Sequence, residues 1–344
     1  MTGLTSEERD LLAPVERATI LARTLDWAAI NSGTGHIEGL AAMAGQLAEA
    51  FAVLPGEVTL VDPAPVDKVD SQGHAREVVH GRHLVLSVRP QAERRVILTG
   101  HMDTVYPADH PFQTCRWLDE NRLNGPGTAD MKGGLSLMLA GLAAYERSGA
   151  TLGYDVLINS DEETGSLSSA ALIAELAQGK LAALTYEPAL PGGQMARARP
   201  GSGNYAVVVH GRAAHAGRNP EEGRNAVLAA GDLALRLAAM RRPGLSVNPA
   251  RIEGGAPNNT VPDLAILHFN MRPATPELAA EAQADIRTAV AEVSAAHDVH
   301  MHVHGHVSRP PKAISAGTEA LYGMVSKAAA ALGQPMSWKD TGGV

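Results

Sequence analysis

The apolar positions of the chain switch repeatedly between a helical and a strand-like period. Residues 14–30 and 37–52 carry apolar side chains at helical spacing, separated by the breaker Asn31-Ser32-Gly33. Short apolar runs of strand length follow at 83–88 and 95–99. Residues 135–145 return to helical spacing, 155–159 is a strand, 168–176 a helix and 182–186 a strand. Strands alternating with helices predict an α/β fold built on a sheet. Past Pro188 the texture changes, and Pro191-Gly192-Gly193 and Arg199-Pro200-Gly201 mark a domain crossing. Beyond it the pattern predicts a strand (205–210), a helix (225–240), a strand (265–271), a helix (276–296) and a strand (299–307). This rhythm suits a small two-layer α+β domain. Pro310-Pro311 marks the return, and 318–332 is one more helix.

Composition narrows the setting. The net charge of -8 and a pI near 6.0 give no footprint for nucleic acid. A single cysteine, Cys115, excludes an intramolecular disulfide and hints at a reducing compartment. The opening MTGLTSEERDLL lacks the apolar core of a secretory leader. No uninterrupted apolar stretch approaches the roughly 18 residues of a membrane span. A cytoplasmic setting is expected, with no membrane partner.

The predicted strand ends carry the chemistry. Val96–Gly100 runs into His101-Met102-Asp103, Val156-Leu157-Ile158 into Asp161-Glu162-Glu163, and 183–186 into Glu187-Pro188. Asp130 lies in NGPGTADMKGG, a glycine-rich turn before a helix. In open α/β sheets, ligands gather at the carboxyl ends of strands. Each acid alone reads as a solvated loop residue or a helix cap. Together, one imidazole and several carboxylates form a nitrogen and oxygen donor set whose charge zinc, cobalt or manganese would compensate.

The motifs GHMDTVYP, GPGTADMKGG, SDEETGS and YEPA, with GRAAHAG and GGAPNNTVPD further on, resemble the M20 family of zinc metallopeptidases and amidohydrolases. Glutamate carboxypeptidases and N-acyl-amino-acid deacylases are the branch that fits best. The resemblance implies a mixed-sheet catalytic domain, residues 1–198 and 312–344, carrying two Zn2+ ions. It is interrupted by a lid at 199–311 that makes a homodimer. By position, His101 and Glu187 would hold one zinc, Asp130 would bridge, Glu163 would hold the second, and Glu162 would be the general base. Asp103 would orient the His101 ring. The resemblance assigns Asp161 no role. In the lid, His215 matches the histidine that stabilises the oxyanion, often from the partner subunit. Asn259 and Arg272, joined by Arg309, would hold the carboxylate of a small-molecule or short peptide substrate. The implied reaction is hydrolysis of an amide next to a free carboxylate. An aminopeptidase of the same family, or a fragment keeping only binding and dimerisation, are the alternatives.

Two features stand apart. The chain closes on Lys339-Asp340-Thr341-Gly342-Gly343-Val344, which resembles a glycine loop inside the family's catalytic domain. Family members continue to a last histidine, the remaining ligand of the Glu163 zinc. The resemblance therefore leads one to expect a C-terminally incomplete domain with an impaired second zinc site. His300, His302, His304 and His306 alternate in VHMHVHGHV. At period two they share one strand face, match no family ligand, and read as a half-exposed surface with pairs able to chelate stray metal.

Overall fold

The computed structural model describes residues 3–149 and 151–341. Gly342, Gly343 and Val344 of the closing glycine loop lie outside them. Two compact units emerge, one of residues 1–66, 78–194 and 320–337, the other of 67–77, 195–319 and 338–344.

The first unit holds a five-stranded sheet in the order Glu57–Val61, His83–Val88, Gly153–Asn159, Arg95–His101, Ala183–Thr185. The first two pairings are antiparallel and the last two parallel, so the sheet is mixed. Gly153–Asn159 is central and buried at every position, which is why its apolar residues run together instead of alternating. The helix Ile37–Phe51 buries Leu40, Met43, Ala44, Leu47 and Phe51, one stripe at helical spacing. Leu135, Met138, Leu139 and Leu142 of the helix Gly133–Arg147 join the same core. Three parallel strands aligned in this way deliver His101, the Asp161–Glu163 turn and Glu187 to one edge.

The second unit is a four-stranded antiparallel sheet, ordered Leu245–Gly254, Leu264–Pro273, Ser202–His210, His300–Arg309. The helices Ala226–Ala239 and Pro276–His297 share a core with Tyr205, Val207, Val209, Leu267 and Phe269. Its order along the chain is β-α-β-β-α-β. The strand Leu245–Gly254, absent from the sequence pattern, lies at the sheet edge, and its register slips between Pro249 and Arg251. Proline is tolerated at an edge or bulge, and there it disguised the strand. The hairpin of Asp67–Val69 and Ala75–Glu77, from within the stretch 1–198, packs in this unit. Its turn residue Gly73 has φ +79, and a Cβ there would lie 2.7 Å from Val208 Cγ1.

Candidate metal centre

His101 ends its strand fully buried, and both its ring nitrogens are engaged. Nδ1 sits 3.0 Å from the Asp103 carbonyl and 3.3 Å from Asp103 Oδ1. Nε2 faces Asp130 Oδ1 at 2.9 Å and Glu187 Oε2 at 3.7 Å. One ligand atom from each of His101, Asp130 and Glu187 lies within 4.8 Å of the others. The two carboxylates are half exposed (52% and 43%), so the cluster opens on one side.

Close backbone approach makes the convergence possible. A Cβ on Gly134 would sit 2.1 Å from the Tyr186 carbonyl oxygen, so only glycine lets the turn bearing Asp130 pack against the strand end bearing Glu187. Lys132, buried in the same turn, donates to the carbonyls of Trp27 (3.0 Å) and Ile30 (2.7 Å), tying the turn to the end of the helix Arg17–Ala28. Burial pushes its pKa down to about 8.

Asp103 is the hub of the edge. Its carboxylate accepts the backbone N–H groups of Glu162 and Glu163, each at 3.1 Å, and the Thr34 hydroxyl at 2.8 Å. It therefore locks the turn Glu162–Thr164 against His101. Asp161 is wholly buried and accepts from Ser168 N–H (2.7 Å), the Ser168 hydroxyl (2.9 Å) and the Ser169 hydroxyl (2.7 Å). Of the three adjacent acids, Asp161 is thus a strut that braces the turn. The serines of SLSS were its available signal in the sequence; Thr34, 69 residues from Asp103, left none.

The electrostatics explain what the cluster requires. Burial pulls the His101 pKa down, but hydrogen bonds to Asp103, Asp130 and Glu187 outweigh it and raise the pKa. The hydrogen bond with His101 lowers that of Asp130. Burial, then the Asp130 charge, pushes Glu163 up to about 7. With Nδ1 donating to the Asp103 carbonyl, only a proton or a metal ion on Nε2 lets the ring face acceptor-only carboxylates. Such an arrangement needs a cation between its members. No lysine or arginine pairs with Asp130 or Glu187 among the described residues. One imidazole and open carboxylates match the nitrogen and oxygen donors of a divalent metal, so the residues fit one.

The remaining candidates lie in the second unit. His215 and Asn259 are neighbours there, the Asn259 carbonyl accepting Ala216 N–H at 2.9 Å. Gly217 N–H donates to His215 Nδ1 at 3.1 Å, which sets the tautomer with the proton on Nε2. Arg272 spends Nε on Asn270 Oδ1 (2.9 Å) and lines a cleft of about 580 Å³ with Arg199, Arg241, Arg242 and Lys312. Arg242 pairs with Asp285 and Glu281; the other four have no acidic partner among the described residues. Arg309 ends its strand opposite Ser202 and is not among the residues lining this cleft.

This α/β arrangement, with acids on one edge of a mixed sheet and a separate antiparallel domain, is the fold of M20 peptidases. Residues 197–298 match the M20 peptidase dimerisation domain. Carboxypeptidase G2 of Pseudomonas sp. (strain RS-16) is 33% identical over 254 residues, 71% of this chain and 57% of that protein. Acetylornithine deacetylase of Klebsiella pneumoniae (strain 342) is 30% identical over 200 residues, 52% of this chain and 50% of that one. The M20 family metallo-carboxypeptidase Sso-CP2 from Sulfolobus solfataricus shares the fold at TM-score 0.69 and 15% identity, over 94% of this chain and 86% of its own. The chain belongs to the M20 metallopeptidase family. It spans about half the length of the curated relatives it matches (57% and 50%). Among the described residues no helix is long and apolar enough to cross a membrane.

Proposed function

We propose that this protein is a metal-dependent hydrolase acting on an amide bond next to a free carboxylate. The observation that carries the reading is His101 Nε2 set between Asp130 and Glu187, with Nδ1 held by Asp103. His101 and Glu187 would hold one zinc, Asp130 would bridge, and Glu163 would hold the second. When bound, the two ions would polarise the scissile carbonyl and lower the pKa of a shared water towards neutrality. Glu162, one residue from a ligand and on the turn that Asp103 fixes, takes the proton of the attacking water and returns it to the leaving nitrogen. His215, with its proton on Nε2, donates to the developing oxyanion. Asn259, Arg272 and Arg309 hold the substrate carboxylate, the Arg272 guanidinium through the donors its bond to Asn270 leaves free. The cationic cleft beside Arg272 favours this carboxylate reading over an aminopeptidase, whose site must hold a substrate amine. The dimerisation-domain match supports a homodimer through the lid, and a cytoplasmic setting fits the lone Cys115.

The test compares hydrolysis of an N-acyl-glutamate with that of an unblocked tripeptide, alongside zinc content per chain. Preference for the acylated substrate, with zinc bound, is expected. In the same assay Arg272→Ala should weaken substrates with a free carboxylate by about 1.5–3 kcal/mol while sparing their esters. Equal losses for both substrate classes would make Arg272 a support of the lid only.

A further inference from the structure

The alternating histidines left over from the sequence gain partners in the fold. In the strand pairing, His300 lies directly opposite His210, and His302 opposite Val208. All three imidazoles therefore project from the sheet face opposite the helices, since Val207 and Val209 point into the helical core. The His300 and His302 rings stand 4.4 Å apart, centroid to centroid, at 87°. His210 and His302 stand 6.1 Å apart at 75°. Two imidazoles on one ion, with metal–nitrogen bonds of about 2.0–2.1 Å, bring their centroids to roughly 5 Å. The two spacings bracket that value, and the three side chains are exposed.

A fourth histidine comes from elsewhere in the sequence. Gly73 seats the hairpin turn on Val208 and Leu264 of this face, which brings His74 near His210. Burial, then the neighbouring His302, His300 and His74, keeps the His210 pKa below its ordinary value. Its nitrogen lone pair is thus free at neutral pH. Asp263, near His210, and Asp70, near His74, supply negative charge around the group. His304 and His306 continue the row, opposite Ala206 and Asn204, with no cross-strand imidazole to complete a set.

We propose that His210, His300 and His302, with His74 near His210, bind a borderline divalent transition-metal ion such as Cu2+, Ni2+ or Zn2+ on the second unit. Nitrogen-only donors favour copper over the other first-row ions, which makes Cu2+ the probe. Untagged, zinc-loaded protein is titrated with Cu2+, read by copper per chain, retained zinc and nitrogen hyperfine structure in the electron paramagnetic resonance spectrum. Wild type should take up one nitrogen-ligated Cu2+ per chain with its zinc unchanged. His210→Ala and His302→Ala should each lose that signal, while His306→Ala keeps it. All three side chains tested are exposed, and unchanged circular dichroism certifies the variants. The proposal is overturned if wild type shows no nitrogen-ligated copper, if the His210 and His302 variants keep it, or if only His306→Ala loses it.

Discussion

Both ends of the central strand Gly153–Asn159 carry carboxylates, and the protein meets their charge in opposite ways. At the start of the strand, Asp155 is buried against Arg95 (2.7 Å), Lys180 (2.8 Å) and the Ser87 hydroxyl (2.7 Å). Nearby, Glu146 takes a two-pronged contact from Arg89 at 2.6 and 2.9 Å. Here the chain supplies its own cations. At the far end, Asp130 and Glu187 share the imidazole of His101, and burial, then the Asp130 charge, pushes the Glu163 pKa up to about 7. Asp155 is buried, where a charge without a partner costs several kcal/mol, whereas Asp130 and Glu187 are half exposed. Among the described residues no lysine or arginine pairs with Asp130 or Glu187, which leaves that edge open to an external cation.

The sharpest way to break this contrast is at the open end. Glu162→Gln preserves shape but removes the proposed base, and turnover should fall by about 10² to 10⁴. Metal content should not change. A variant that loses its metal would make Glu162 a ligand and end its assignment as base. At the closed end the expectation reverses. Asp155→Ala strands Arg95 and Lys180, and stability should fall by about 3–5 kcal/mol in urea titrations. Bound metal per folded chain should stay constant, and a drop in metal equal to the drop seen on mutating His101 would erase the distinction between the two ends.

Much of this architecture was visible in the linear pattern, because burial repeats at fixed periods. The helix over 37–52 is observed as Ile37–Phe51, and the strand over 83–88 keeps its limits. Elements that were hidden share a physical cause. Leu245–Gly254 is an edge strand with Pro249 inside it, and Glu57–Val61 is an edge strand of mixed exposure, so neither shows a clean alternation. The acids after each strand could be read as one edge because parallel strands end together. The division of labour among Asp161, Glu162 and Glu163 could not, since it depends on which side chain turns inward. Nor could His74 and His210 be grouped with the histidine strand, as their meeting is a product of strand register and hairpin packing.

Asp161 tests that division. Asp161→Ala leaves the Ser168 N–H and two serine hydroxyls without their acceptor, at about 1–3 kcal/mol of stability. Because this brace supports the Glu162–Thr164 turn, metal affinity should weaken with it, and Asp161→Asn should recover part of both. If the alanine variant lost metal with full stability, Asp161 would belong to the ligand set and not to its scaffold.

The smallest effect belongs to Arg89 and Glu146, at the self-neutralised end. Their side chains are 29% and 17% exposed, so water screens the pair, and Glu146→Gln should cost about 1 kcal/mol or less. Its value as a test lies in its pH dependence. Hydrogen bonds from Arg89 hold the Glu146 pKa below its ordinary 4.5. A carboxylate with a depressed folded-state pKa stabilises fully above the unfolded value and loses that contribution as pH falls through the folded one. The gap in stability between wild type and Glu146→Gln should therefore be constant from pH 7 to about pH 5. It should then close on further acidification. Denaturant midpoints for the two proteins across that range read it directly. A gap that persisted into strong acid would mean that Arg89 gains nothing from the charge of Glu146, and that this end of the sheet is held by packing alone.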